Sequence, residues 1–473
     1  MFFVPLYIEA LRSRPAFLFW AAALVQAAIW IAVPMAFYAA PPGNLPQLLA
    51  IGHEFQLRGD VGPPLAYWLA EIAFRIAGLF GVYALSQICV VVTYWCVFAL
   101  GSAIAGPAHA ALATLLMIGI SLFTVPTPDF GPPILAMALW ALVLLNYWRA
   151  AMQGRRRAWY ALGAAAALLL CASSAALILL GALAMFAVAT GRNRSTLKGN
   201  EPWLVIIGLA VFLFVHLLWL QRSSEALMPA LQHLREATAG PENTIAWLRL
   251  LSALVLAHAG LAILVVLATG AAVIAGYGLP LGGAAPLVVL SSLAIIVLAG
   301  ERIELFHQRV LGYAWVGLLL APALFVPVVM LSLPWATGTE LKIAQPATAM
   351  GRFFAENFER RTGRALKIVT GDLDTATLIA LAAPSRPSVY FDQDPSRSPW
   401  VTPDDIRAKG AVVVWRTVDT TPTPPPEIKA RFPDLIPEVP RTFARPVQGR
   451  LPVLRIGWGV IRPGSVASTE PVK

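Results

Sequence analysis

Residues 79–104 read LFGVYALSQICVVVTYWCVFALGSAI, without one formally charged side chain. A helix of roughly 20 apolar residues crosses the hydrocarbon core of a bilayer. The stretch therefore reads as a membrane span, and comparable runs recur through the first two-thirds of the chain. The 473 residues are 58% hydrophobic and 13% charged, with a mean hydropathy of +0.71. A soluble domain is nearer half apolar and a quarter charged. A soluble enzyme throughout and a disordered chain are thus both excluded. Beyond about residue 333 the composition becomes that of an ordinary soluble domain. The fold class is an α-helical polytopic membrane protein, residues 1–333, followed by a small α/β domain, residues 334–473.

Outward from that span, further crossings are expected at Phe17–Tyr38, Ala108–Val125, Ile134–Trp148, Trp203–Leu220 and Leu311–Leu333. The run Ala158–Thr190 is flanked by Arg155-Arg156-Arg157 and by Arg192, Arg194 and Lys198. Basic residues collect on the cytoplasmic side, so this run is expected to cross twice, turning near Cys171-Ala172-Ser173-Ser174. Two more spans fill Leu250–Leu298. The total is ten, or eleven because Gly276–Gly283 is poorly bounded. Pro63-Pro64 opens a short amphipathic segment, Leu65–Gly78, ahead of the span at residue 79. The formal charge of +10 reflects basic cytoplasmic loops rather than nucleic-acid binding. Cys89, Cys96 and Cys171 all lie in apolar runs, so there is no disulfide framework.

In the tail, helices are expected at Met350–Arg361, Leu373–Ala383 and Asp404–Lys409. Strands are expected at Ala365–Val369, Ser388–Phe391 and Ala411–Trp415. Pro422–Pro440 reads as extended, and Leu451–Ile461 as a closing strand pair.

Ionisable residues at a membrane face are functional candidates. Asp129 sits in Pro126-Thr127-Pro128-Asp129-Phe130-Gly131-Pro132-Pro133, a loop that four prolines keep from continuing as helix. It reads equally as a helix N-cap and as a catalytic carboxylate. The first outer loop, residues 39–62, holds His53, Glu54, Arg58 and Asp60 within eight residues. Such a group could orient a hydroxyl, grip a phosphate or hold a metal. Its bland alternative is an amphipathic helix lying on the bilayer through Leu48, Leu49, Ile51, Phe55 and Leu57. Arg222, His233 and Arg235 of the second long loop could hold a phosphate. His216 and His258 fall singly inside spans. The spacings contain no zinc motif, phosphate-binding loop or dinucleotide fingerprint. Ser173-Ser174 lacks a nearby base. No inverted hydropathy repeat suggests a transporter.

The order of these motifs resembles the membrane glycosyltransferases of the C-type fold. It is most like the bacterial family that includes the aminoarabinose lipid A transferase and the rhizobial lipopolysaccharide galacturonosyltransferases. The resemblance rests on Gly59-Asp60-Val61-Gly62-Pro63-Pro64-Leu65-Ala66-Tyr67-Trp68-Leu69 followed, two spans later, by Thr127-Pro128-Asp129. It covers residues 10–190 well and later spans loosely. Ser385–Tyr390 and Ser398–Val401 of the tail are also similar to those of some family members.

The resemblance implies that a polyprenyl-phosphate-linked sugar enters from the bilayer. A loop carboxylate then activates an acceptor hydroxyl of an envelope lipid, glycan or protein, and the anomeric centre inverts. It implies catalytic roles for Asp129 and for Glu54 or Asp60. It implies substrate contacts from His53, Arg58, Pro63, Pro64, Arg222 and Arg235, with basic side chains or a divalent cation neutralising the leaving phosphate. It further implies a bacterial inner-membrane location, with loops and tail periplasmic, although ten spans from a cytoplasmic N-terminus would return the tail to the cytoplasm. The chain departs from the family in three places. Pro41–Gln47, where relatives carry an acid, has only amides. Gly62 stands for the His before the double proline. The lysine after the fourth span has no counterpart. An amide cannot act as a general base, so the alternative is an inactive member serving as a lipid-sugar binder or scaffold.

Overall fold

A computed structural model describes residues 13–56, 63–173, 176–190, 199–222, 288–299, 308–393, 395 and 398–464. The chain divides into two compact units. One comprises residues 1–36 and 57–329, the other residues 37–56 and 330–473. A contiguous division after residue 333 leaves the segment 37–56 with the helical part; in the structure it groups with the tail.

The helical unit contains α1 (Pro15–Phe37), α3 (Leu65–Ile104), α4 (Pro107–Met117), α5 (Pro132–Tyr147), α6 (Arg156–Leu170), α7 (Ala176–Ala189), α8 (Asn200–Arg222), α9 (Ser291–Ala299) and most of α10 (Gln308–Ala336). Among the described residues, four helices are long and apolar enough to cross a membrane: Pro15–Phe37, Leu65–Ile104, Pro132–Met152 and Trp315–Ala336. Their outer faces leave Phe17, Ile76, Phe80 and Leu324 exposed, Ile76 at 79%. In water such a surface would be a liability; against lipid tails it is the expected one. Inside, Leu18, Phe19, Tyr94, Phe123 and Trp315 share one core, with Phe19 stacked on Phe98 at 4.5 Å.

α3 merges the expected amphipathic segment with the following span, and the two meet at a kink. Ala77 and Gly78 leave helical geometry there, Gly78 with φ +60° and ψ −146°. That conformation is open to glycine and strained for other residues, so the sequence boundary at Gly78 is a real joint. The run 158–190 is likewise two helices, α6 and α7, broken at Cys171–Ser173. The expected span Ala108–Val125 is not one helix. α4 stops at Met117, and residues 118–131 fold as turns with a short 3₁₀ segment at Ser121–Phe123. The spans expected in Leu250–Leu298 lie largely outside the described residues.

The second unit is an α/β domain. Its sheet orders β2 (Ser388–Tyr390), β1 (Ile368–Gly371), β3 (Ala411–Arg416), β5 (Leu454–Ile461) and β4 (Ile436–Phe443). β2, β1 and β3 run parallel, and β3, β5 and β4 antiparallel. The parallel part follows from alternation of strands with α12 (Leu373–Ala382) and α13 (Pro403–Lys409). Leu451–Ile461 yields one strand rather than a pair. Its outer partner comes from the proline-rich stretch, which also contains α14 (Pro426–Arg431). α11 (Ala347–Thr362) sends Phe353 and Phe354 against Phe443 and Trp458. Glu340, beyond α10, bonds Arg416 at 2.7 Å and Arg445 at 3.2 Å. Burial alone would raise its pKa, but the two guanidiniums outweigh it and hold the carboxyl below its ordinary value.

Candidate functional site

Pro63 and Pro64 precede α3, with Pro64 at its N-cap. Proline suits a helix start because its missing N–H would find no intrahelical partner there. The Leu65 N–H donates to the Cys171 carbonyl at 3.1 Å, so this start rests on the break between α6 and α7. One turn further, Glu71 is buried and accepts from Arg75 Nε at 2.9 Å. Sequence reading left this pair unassigned, although its i, i+4 spacing was visible.

The Asp129 loop is anchored from α3. Ser86 Oγ donates to the Thr127 carbonyl, and Gln87 Nε2 to Thr127 Oγ1 at 2.8 Å. Thr127 Oγ1 in turn donates to the Thr124 carbonyl at 2.7 Å. Just upstream, Tyr94 donates to Gln26 Oε1 at 3.1 Å, and Gln26 Nε2 donates to the Phe123 carbonyl at 2.6 Å. Non-helical backbone at membrane depth persists only where protein satisfies it. Gln26, Ser86, Gln87 and Tyr94 supply that satisfaction, and all four are buried. Sequence reading missed them; lone polar residues in otherwise apolar spans were the available signal. Asp129 itself is half-buried, with its N–H bonded to the Pro126 carbonyl at 3.0 Å. It is not the cap of α5. That position is Gly131, followed by Pro132 and Pro133.

In the second unit, His53 ends α2 (Leu45–His53) and Glu54 is its C-cap. Leu45, Leu48, Leu49 and Ile51 are buried, and α2 packs on α12. The apolar side of this helix is therefore covered by the tail, which replaces the reading of a helix lying on the bilayer. The Ala39 and Ala40 N–H groups donate to the Ile343 carbonyl at 2.9 and 3.0 Å and fix the segment. The amides Asn44 and Gln47 line a small hollow together with Lys342, Gln345, Asp374 and Thr377. Lys342 and Asp374 pair across it at 2.9 Å. A carboxylate from α12 thus lines the same hollow as the amide-bearing loop, a juxtaposition no local pattern reveals.

Arg58, Asp60 and Arg235 lie outside the described residues, as do His233, His258 and the side chains of Arg222 and His216. Among the described residues no three His, Cys, Asp or Glu side chains gather as metal ligands.

Residues 61–219 match the family model described as dolichyl-phosphate-mannose-protein mannosyltransferase. No curated protein matches the sequence. Among solved structures, the chain is similar to ArnT from Cupriavidus metallidurans in the apo state. The identity is 13% and the TM-score 0.55, over 94% of this chain and 97% of that one. The same protein bound to undecaprenyl phosphate gives 12% identity and a TM-score of 0.54, over 96% and 98%. The chain is thus a membrane protein with the C-type glycosyltransferase fold, and its residues 61–219 match the mannosyltransferase-type family model.

Proposed function

We infer that the protein transfers a sugar from a polyprenyl-phosphate donor to an envelope lipid, glycan or protein acceptor, with inversion. One observation carries this reading. Pro63-Pro64 and Thr127-Pro128-Asp129 lie within one glycosyltransferase-type domain, and a single helix, α3, starts at the first motif and clamps the second. The similarity to a protein solved with undecaprenyl phosphate supports the donor class.

In the reaction, the acceptor oxygen forms a bond to the anomeric carbon as the carbon–oxygen bond to phosphate breaks. The acceptor proton passes to a carboxylate, Glu54 or Asp60, acting as general base. Asp129 faces the donor sugar. Arg222 and Arg235 stabilise the charge on the departing polyprenyl phosphate. His53, Arg58, Pro63 and Pro64 shape the loop that receives the acceptor. The loops and the tail lie on the periplasmic side of a bacterial inner membrane.

The test is transfer from a polyprenyl-phosphate sugar by membranes containing the protein. Asp129→Asn should lower the rate by removing a contact to the donor, and loss of the acid–base carboxylate should lower it by about 10²–10⁴-fold. Glu54→Gln and Asp60→Asn then identify the base. Transfer unchanged in all three variants would sink the assignment. Donor binding without transfer in the unaltered protein would make it a lipid-sugar binder.

A further inference from the structure

At the other end of α5 from Asp129 lies a cluster of arginines. α5 has 16 residues, so the two ends are about 24 Å apart at 1.5 Å per residue. There the helix passes into a π turn, Trp148–Met152. Gly154, with φ +66°, lets the chain reverse, and the Arg155 N–H closes onto the Arg149 carbonyl at 3.1 Å. The reversal borders an open hollow of about 470 Å³ lined by Asn146, Arg149, Arg155, Arg156 and Arg157.

Four guanidiniums around one hollow repel one another unless an anion is present. Among the described residues the one acid paired with them is Glu201, at 3.5 Å from Arg156. Arg149, Arg155 and Arg157 have no ion-pair partner among the described residues. Arg149 is held over the Trp95 ring at 5.5 Å, which fixes its direction at no need for a carboxylate. Arg155 occupies the N-cap of α6 without a side-chain cap bond, so the helix start adds its own positive end to the hollow. The surroundings are those of a headgroup layer. Tyr160 and Trp203 stand 55% exposed on α6 and α8, and these two helices pack together. Exposed aromatic rings beside arginines at helix ends mark the membrane–water boundary.

We propose that this hollow binds a phosphate group, supplied by the headgroup of an anionic membrane lipid. The arginines form charge-assisted bonds to the phosphate oxygens. Basic pockets between membrane helices take such headgroups. The site is separate from the donor site, because Asp129 belongs to the opposite end of α5. Its role is to fix the depth of α5 and α6 in the bilayer.

The experiment is native mass spectrometry of the full-length protein in detergent, titrated with phosphatidylglycerol or with phosphatidylcholine. Phosphatidylglycerol should bind in preference. Arg155→Gln/Arg157→Gln should weaken it about 30-fold, each arginine near a membrane surface contributing roughly fivefold. Both side chains are exposed, so the variant should elute as folded protein. Arg155→Lys/Arg157→Lys should restore most of the binding. Excess inorganic phosphate that fails to displace the lipid assigns the site to a headgroup. Displacement that follows the same variants assigns it to free phosphate, and the phosphate chemistry stands. Equal retention of the two lipids, or a preference unaffected by the arginine variants, overturns the proposal. So does loss of the preference in Asp129→Asn, which would place the lipid in the donor site. Failure here leaves the transfer assay untouched, since that assay reads Asp129 and the loop carboxylates.

Discussion

The two segments that carry the candidate carboxylates are held by opposite physics. Residues 37–56, leading to Glu54, are held by apolar burial: Leu45 and Leu49 are fully enclosed. Residues 118–131, carrying Asp129, are held by hydrogen bonds from Gln26, Ser86 and Gln87, which reach in from membrane helices. The difference follows from the solvent each segment would otherwise meet. Outside the bilayer, water drives apolar side chains together and can satisfy stray backbone groups. Within it there is no hydrophobic drive, and every unpaired carbonyl must be met by protein. A loop packed among apolar spans is therefore built from polar anchors, and a segment packed on the α/β domain from leucines.

That contrast can be broken by exchanging the kind of damage. The largest effect is expected from Leu49→Ala. A buried leucine reduced to alanine costs about 2–5 kcal/mol. Protease protection of residues 37–56 should fall, while the helical unit keeps its melting behaviour. If the helical unit loosened equally, the division of labour would be wrong. Next comes Ser86→Ala, which leaves the buried Thr127 carbonyl without its donor at about 1–3 kcal/mol. Transfer should drop roughly tenfold with little change in the overall melting temperature. Gln87→Leu should behave alike, and a normal rate in both would show that the Asp129 loop needs no such anchor.

The smallest effect sharpens the surface side alone. Asp405 completes a capping box with Thr402 at the start of α13. Its carboxyl is drawn from 3.8 to about 2, first by Lys409 and then by Thr402. A lowered acid contributes stability that is present above its unfolded value and lost as pH falls through the folded one. Protection of the α13 amides from hydrogen exchange, corrected for intrinsic rates, should fade between about pH 4 and pH 2. Thr402→Ala should flatten that response and cost ~1 kcal/mol at neutral pH. Helices of the membrane unit should show no change over the same interval.

What was legible in the sequence was local. Pro63-Pro64 marked where α3 begins, and Gly78 marked its kink, because both act through the backbone of the residues concerned. The break near Cys171 and the strand–helix alternation of the tail were also visible as changes of period. The early end of α4 was not. Residues 118–125, IGISLFTV, are apolar enough to continue a span, and only the distant donors Gln26, Ser86 and Gln87 make an irregular path affordable there. The cover over α2 was hidden for the same reason, since α12 lies more than 300 positions away in sequence. For Asp129 the sequence offered cap or catalyst in equal measure. The structure puts Gly131 at the cap of α5, a position that only the backbone geometry of the loop decides.

The two margins of the sheet carry a consequence for life in a crowded membrane. β2, at one margin, is only three residues long. β4, at the other, contains Pro437 and Pro440 and a register shift between Glu438 and Arg441. Prolines withhold N–H donors, and an irregular, short margin offers no ladder for a further strand. Copies diffusing in the same bilayer hold their tails close together for long periods, a setting that favours strand exchange. With both margins blunted, neighbouring tails can collide repeatedly without zipping into a continuous ribbon.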